Sequence, residues 1–363
     1  MRERGGPFSV EPATLDAPRR DEVLVRIVAT GMCHTDLAMR NRPPPAPMPI
    51  VLGHEGAGVV EAVGEAVTAV EVGDHVVLSF LSCGVCPSCQ SGSPFACASV
   101  APLNLGGARP DGSHALHDAH GVALHDRFFG QSSFATYAIA HERNLVRVRK
   151  DAPLELLGPL GCGVLTGAGC VFNSLKVGPG DTLAVFGAGA VGLSAVMAAR
   201  VAGAAQILVV DRVADRLALA LELGATQVFD SAENDPVAAI IAATHGGVRY
   251  AIDTTAVPSV VSQMVAALAM RGTAAIVGVS PPGTMLSLDT NDLMVRQKTI
   301  RGVLEGDAVP QLLIPILVDL IMAGRFPLER LVGFFELDGI NEAAESSRAG
   351  NVVKPIIRMA GAG

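Results

Sequence analysis

The chain has 363 residues, room for two or three domains of about 150 residues each, which excludes a minimal binding module. Half of it is apolar, 17% is charged, aromatics make up 4%, Trp is absent and 40 residues are Gly, so disorder, collagen and coiled coil are excluded. A net charge of −8 with both signs interspersed leaves no basic stripe along a phosphate backbone, and nucleic acid is not an expected partner.

From the N-terminus, MRERGGPFSV has charges but no apolar stretch behind them; no secretory signal is expected, and the expected compartment is the cytoplasm. The first 160 residues read as β-rich, with short apolar or alternating runs such as Glu22 to Val28 and His75 to Phe80 broken by Gly, Pro and Asp. Pro43 to Pro49, with five prolines in seven residues, predicts an extended loop. From Asp181 the pattern becomes apolar strands alternating with Ala/Leu-rich helices: Thr182 to Phe186, Ala190 to Ala202, Ile207 to Asp211, Arg216 to Leu223. Strand, helix, strand in succession predicts a parallel sheet, continued by strands at Tyr250 to Asp253 and Ala274 to Val279. A helix over Gln311 to Ala323 follows, and the chain closes with Val352 to Met359. The most apolar stretches, Ala184 to Ala199 and Leu312 to Ala323, carry glycines, Pro315 or Asp319 and stay below about 18 clean residues, so they read as buried core and no membrane is expected.

Seven cysteines in a reducing compartment point to thiolate chemistry or metal rather than disulfides. Cys83, Cys86, Cys89 and Cys97 form C-x2-C-x2-C-x7-C in a Gly, Pro and Ser-rich segment able to wrap an ion, which suits a closed tetrahedral structural zinc site. An iron–sulfur cluster and unrelated buried thiols are the alternatives; the bacterial ferredoxin run ends C-x3-C-P, which this loop does not. A second set is dispersed: Cys33 in TGMCHTD, His54 and Glu55 in GHEGAG, and Cys162 in LGCGVLTG. Taken singly, each also fits a small core residue or a satisfied histidine. Cys170 reads as a buried structural thiol. The histidines at 114, 117, 120 and 125 read as surface residues of a loop.

Thr182 to Phe186 runs into Gly187-Ala188-Gly189-Ala190-Val191-Gly192, a G-x-G-x-x-G directly after a strand and opening a helix. The first glycine makes a tight turn, the second lets the backbone approach a pyrophosphate, the third lets helix pack on strand, and the helix N-terminus faces the phosphates. Asp211, about 20 residues on, is placed to bond both ribose hydroxyls of NAD and to repel a 2′-phosphate, while the adjacent Arg212 suits NADP. A glycine-rich turn without ligand is the bland alternative.

With zinc-type cysteines, GHEGAG followed by Gly64, LGCGVLTGAG and a Rossmann unit in this order, the chain resembles the zinc-dependent medium-chain alcohol dehydrogenases over nearly its full length. TGMCHTD, PIVLGHEGAG and RFFGQSSFATYAIA (Arg127 to Ala140) look most like the aryl-alcohol, or benzyl-alcohol, dehydrogenase branch. The resemblance implies an α/β fold: a GroES-like β-rich catalytic domain of residues 1–163 with a C-terminal return of 306–363, and a Rossmann doubly wound parallel sheet of 164–305, the active site lying in the cleft between them. It implies two zincs per chain and NAD. Cys33, His54 and Cys162 would hold the catalytic zinc and leave a fourth position open; Glu55 would ligate transiently, Asp36 would orient the histidine, and Thr35 would contact the alcohol oxygen and start a proton relay. The relay's usual terminal histidine falls at Ala38, and His34 stands where a residue contacts the cofactor pyrophosphate. Thr166, Val191, Arg216 and Val279 are implied at the cofactor beside Gly187, Gly189, Gly192 and Asp211. Phe128 and Phe129, with Phe80, Val279 and Leu304, are implied as substrate-cleft lining, ordinary core being the alternative. The apolar first strand usual before the segment matching Arg2–Pro7 is almost absent, so the start is late or the sheet edge is trimmed.

The expected reaction is reversible oxidation of an aromatic or allylic primary alcohol to its aldehyde, with benzyl alcohol the lead substrate and geraniol-type alcohols close competitors. The rivals are a thiol-dependent formaldehyde dehydrogenase of the same fold and a catalytically silent zinc and dinucleotide-binding protein. A homodimer or homotetramer is implied.

Overall fold

The computed structural model describes residues 1–41 and 48–359; of the proline-rich run, positions 43–47 lie outside the described residues. Two compact units emerge, one of Met1–Cys162, Val309–Ala323 and Leu328–Gly363, the other of Gly163–Ala308 and Gly324–Pro327.

The first unit begins with β1 (Ala13–Leu15) and β2 (Glu22–Gly31). In β2, Val23, Val25 and Ile27 face the core while Leu24, Arg26 and Val28 are less covered, the period-2 pattern of a strand with one buried face. Helix α1 (His34–Asn41) follows, then β3 (Gly56–Val63), β4 (His75–Leu78), β5 (Leu116–Asp118), β6 (Ala123–Leu124), β7 (Tyr137–His141) and β8 (Leu145–Val148). β1, β5 and β6 make a small antiparallel sheet, so the segment read as a histidine loop is partly strand. Only His120 of its four histidines is fully exposed; His114 and His125 are partly buried and meet edge to face with ring centres 4.5 Å apart.

The second unit opens with α2 (Gly163–Gly169) and continues as β9 (Thr182–Phe186), α3 (Ala190–Ala202), β10 (Gln206–Asp211), β11 (Gln227–Asp230), β12 (Val248–Asp253), β13 (Leu268–Ile276) and β14 (Thr299–Gly302), with helices between. The six strands are all parallel in the order β11-β10-β9-β12-β13-β14. β9 is a near-continuous apolar run, as a strand covered on both faces requires. α3 ends at Gly203, whose φ of 82° makes a left-handed C-cap. β13 starts six residues before the expected Ala274: its Leu268-Ala-Met opening has helix-forming composition, but Leu268 pairs with Val248 across a bulge and the sheet overrides that propensity.

The chain then returns to the first unit through α4 (Pro310–Met322), β15 (Val332–Glu336), helix α5 (Ile340–Ala349) and β16 (Lys354–Arg358). The large sheet of that unit runs β15-β16-β2-β3-β4-β8, with β7 also on β2. β16 lies antiparallel on the end of β2, Ile356 opposite Gly31, while Thr30 of β2 faces Gly56 of β3. These registers bring Met32–Cys33, Glu55 and Lys354 to one end of the sheet. No single helix among the described residues is long and apolar enough to cross a membrane.

Candidate active site

Cys33 leads into α1, His54 and Glu55 precede β3, and Cys162 closes the first segment of the unit; the sequence separates them by up to 129 positions, since 162 − 33 = 129. In space one ligand atom from each of Cys33, His54, Glu55 and Cys162 lies within 4.8 Å of the others. Asp36 organises the near side. Its Oδ2 accepts the Cys33 N–H at 2.9 Å, and its Oδ1 accepts the Gly53 N–H at 3.0 Å and lies 3.0 Å from His54 Nδ1. With Nδ1 committed as the donor, the lone pair sits on Nε2, which is buried and has no partner among the described residues. An orphaned imidazole nitrogen among two cysteine sulfurs fits a zinc ion, since a buried polar atom without a partner is costly.

The Cys33 thiol is held well below its usual pKa by its hydrogen bond with Cys162, which outweighs burial, with the charge of Lys354 adding to the effect. His54 is raised despite its burial, chiefly by the Asp36 charge and hydrogen bond. The Cys33 thiolate and the Asp36 carboxylate behind His54 make the cluster one that suits a cation.

Behind this set stands a residue the sequence reading missed. Lys354 Nζ lies 2.9 and 2.8 Å from the two Glu55 carboxylate oxygens and 3.3 Å from Met32 O, with neither side chain exposed. Burial alone would lower the lysine pKa, but the Glu55 charge, then that of Cys33, raises it and favours the charged lysine, while burial raises the Glu55 carboxyl against the pull of Lys354. A Cβ at position 31 would stand 2.1 Å from Glu55 Oε2, so a larger residue there would displace the carboxylate from Lys354. A charge inside Val352-Val-Lys-Pro-Ile-Ile was the available signal, because a lysine in an apolar strand demands a buried partner. Gln131 was missed too; its side chain donates to His54 O at 2.9 Å and accepts the Gly56 N–H at 3.1 Å, fixing both ends of the His54–Glu55 segment.

Phe129 is half-buried, and its ring centre is 4.5 Å from that of His54; Phe128, fully buried, meets His54 edge to face at 5.3 Å. Phe80 is buried as well. Thr35 Oγ1 lies 3.7 Å from Cys33 Sγ, whereas His34 is exposed at the start of α1. In the second unit Val279 and Leu304 are exposed.

The four loop cysteines also converge, their sulfurs all within 4.8 Å, with 3.5 Å between Cys86 and Cys89 and 3.9 Å between Cys83 and Cys89. A tetrahedron with Zn–S bonds of about 2.3 Å has edges of about 3.8 Å. Backbone N–H groups of Cys83 and Ser99 donate to Cys97 Sγ, and that of Cys86 donates to Cys83 Sγ, which stabilises thiolates. Such bonds, led by those from Ala98 and Cys89, bring Cys86 down to about 6. None of the seven cysteines is in a disulfide, and burial pushes the remote Cys170 up to about 12, an inert core thiol.

In the second unit the glycine turn fits a dinucleotide. A Cβ on Gly192 would stand 1.8 Å from Gly187 O, so only glycine lets α3 close on β9, whereas Gly189 has open space over it. Asp211 Oδ2 accepts the Ala188 N–H at 2.6 Å and Oδ1 accepts those of Arg212 and Val213, placing the carboxylate beside the turn. Arg216 Nε is buried without a partner among the described residues.

Residues 19–150 match the alcohol dehydrogenase GroES-like domain family and residues 190–321 the zinc-binding dehydrogenase family. Geraniol dehydrogenase of Castellaniella defragrans is 50% identical over 359 residues, covering 98% of this chain and 96% of that protein. Benzyl alcohol dehydrogenase of Acinetobacter calcoaceticus superposes with a TM-score of 0.96 at 50% identity over 99% and 98% of the two chains. A zinc-binding domain alcohol dehydrogenase from Burkholderia ambifaria gives 0.97 at 57%, over 98% and 96%. The mixed sheet and the parallel six-stranded sheet are thus a GroES-like domain and a Rossmann unit. The chain belongs to the zinc-dependent medium-chain alcohol dehydrogenase family, whose cofactors are zinc and NAD.

Proposed function

We propose that this enzyme oxidises aromatic or allylic primary alcohols of the benzyl or geranyl type reversibly to aldehydes, with NAD in preference to NADP. The observation that carries the substrate class is the Phe129 ring lying over the metal-facing histidine, an apolar wall beside the place where the alcohol oxygen must bind. Relatives named for geraniol and for benzyl alcohol support it. The Asp211 carboxylate beside the glycine turn supports NAD, since it accepts ribose hydroxyls and repels a 2′-phosphate.

A zinc ion held by Cys33, His54 and Cys162 supplies a Lewis acid for the alcohol oxygen, and NAD supplies the hydride acceptor. The chain's own residues do the rest. Asp36 keeps the His54 proton on Nδ1 and turns Nε2 inward. Thr35 holds the hydroxyl proton of the substrate, and with Ala38 at the end of the usual relay that proton leaves by water or another group. Glu55, tied to Lys354, is the spare carboxylate for ligand exchange. Alcohol and NAD⁺ thereby become aldehyde, NADH and one proton. Gly187, Gly189, Val191 and Gly192 receive the pyrophosphate, with Thr166, Arg216, Val279 and His34 completing the cofactor site, and the four-cysteine loop holds the structural zinc. The active form is a homodimer or homotetramer.

The test is zinc per chain by elemental analysis, with NAD reduction by benzyl alcohol, geraniol and ethanol on the same sample. Two zincs and a strong preference for the first two alcohols are expected; NADH binding with no turnover of any alcohol would favour a silent dinucleotide-binding protein instead.

A further inference from the structure

Glu305, Gly306 and Asp307 follow one another in left-handed backbone, with φ of 50°, 66° and 48°. Two of the three carry a Cβ, so the turn is strained and must be held by its surroundings. Asp307 Oδ2 accepts from Ser174 Oγ at 2.8 Å and from Arg301 Nη2, while Asn173 Nδ2 donates to the carbonyls of Gly306 and Asp307. Against α2 the fit leaves no room, for a Cβ on Gly169 would stand 2.5 Å from Gly306 O. The clamped turn aims the Glu305 side chain inward, where it is only 8% exposed and its Oε2 accepts from Thr166 Oγ1 at 3.4 Å.

Topology says what lies there. The glycine turn follows β9, Thr254 follows β12 and Glu305 follows β14, so all three stand at the carboxyl ends of parallel strands, where an open α/β sheet receives its dinucleotide. Asp211, the last residue of β10, marks the adenosine half; the nicotinamide half is left to the β12–β14 side. Thr166 belongs to the same place, because the next residue, Gly167, lies against Val191 O in the first turn of α3.

We infer that Glu305 is a cofactor-selecting residue whose carboxylate faces the nicotinamide and favours NAD⁺ over NADH. This rests on reading the second unit as the NAD site. The oxidised ring carries a positive charge that disappears when hydride is added, and a carboxylate in a poorly solvated site discriminates between the two forms. The effect holds the oxidised cofactor and releases the reduced one, biasing the enzyme toward alcohol oxidation.

Dissociation constants for NAD⁺, by calorimetry, and NADH, by its fluorescence, should be measured on the zinc-loaded protein and on Glu305→Gln. The isosteric amide is expected to weaken NAD⁺ about tenfold and to leave NADH within twofold, and Glu305→Asp should recover part of the NAD⁺ affinity. Equal changes for both nucleotides, as from a purely structural role, or no change would overturn the proposal. The unmodified protein gives a second arm that does not depend on a variant folding: NAD⁺ should bind at least as tightly as NADH, and NADH binding tenfold tighter than NAD⁺ would overturn it. Failure to bind either nucleotide would bring down the dinucleotide reading of this unit along with the proposal.

Discussion

Phe129 carries φ 51° and ψ 33°, a conformation that costs a residue with a Cβ about 1–2 kcal/mol, and its ring lies tilted over His54 with 31° between the planes. Side chains hold it there: Asn144 Nδ2 donates to Phe129 O at 3.1 Å, and Phe128, behind it, has no exposed surface. Strain kept by several contacts beside a metal ligand marks a working part rather than filler. Phe129→Ala should therefore raise KM for benzyl alcohol and geraniol at least about tenfold relative to ethanol, the range of about 1–3 kcal/mol typical of apolar pocket contacts. Steady-state kinetics on the three alcohols read this directly; an equal change for all three would assign the ring to support of the fold.

At the scale of elements, the cysteine loop shows how far chemistry can be read without packing. Its only helical pieces are Pro87–Gln90 and Pro94–Ala96, too short to be stable in water, so the bound ion must close it. Cys97→Ser should reduce zinc from about two to about one per chain and lower Tm by about 5 °C or more, a loss of a few kcal/mol for a chain of this size, as followed by elemental analysis and thermal melts. The four loop cysteines and the glycine turn were legible because side-chain chemistry and spacing define them locally, whereas the dispersed Cys33, His54, Glu55 and Cys162 were linked only by the family resemblance. Lys354, the left-handed Phe129 and the early start of β13 were not, since each is fixed by a partner outside its local segment: Glu55, Asn144 and Val248 respectively. The expected strands that agree best with the structure are Thr182–Phe186 and its parallel neighbours, where continuous apolar runs leave little choice of register.

Over the whole molecule, acid stability depends strongly on one buried carboxylate. Glu22 Oε1 and Oε2 accept from Arg109 at 2.7 Å each, Oε1 also accepts from Arg127 at 2.9 Å, and Oε2 accepts the Arg19 N–H. Burial pushes its pKa up, but the Arg109 hydrogen bonds, the Arg19 N–H and the Arg127 charge bring it down from 4.5 to about 2. A depressed folded-state pKa gives stability that is complete above about 4.5 and lost as pH falls toward about 2, at most about 3 kcal/mol. The difference in unfolding free energy between the wild type and Glu22→Gln, from denaturant titrations, should accordingly shrink between pH 5 and pH 2.5; a constant difference would show that the carboxylate has the same pKa in the folded and unfolded chain.

The Glu55–Lys354 pair links two residues 299 positions apart. At about 5–20 residues per second, a ribosome makes the lysine about 15–60 s after the glutamate it neutralises. All four donors of the catalytic set have been synthesised long before then, while the strand bringing the counter-charge is still unmade. Through that interval the nascent chain can finish the parallel sheet of its second unit, but the metal pocket has a carboxylate with no cation beneath it. The counter-charge behind the metal pocket is therefore the last of these groups to be made.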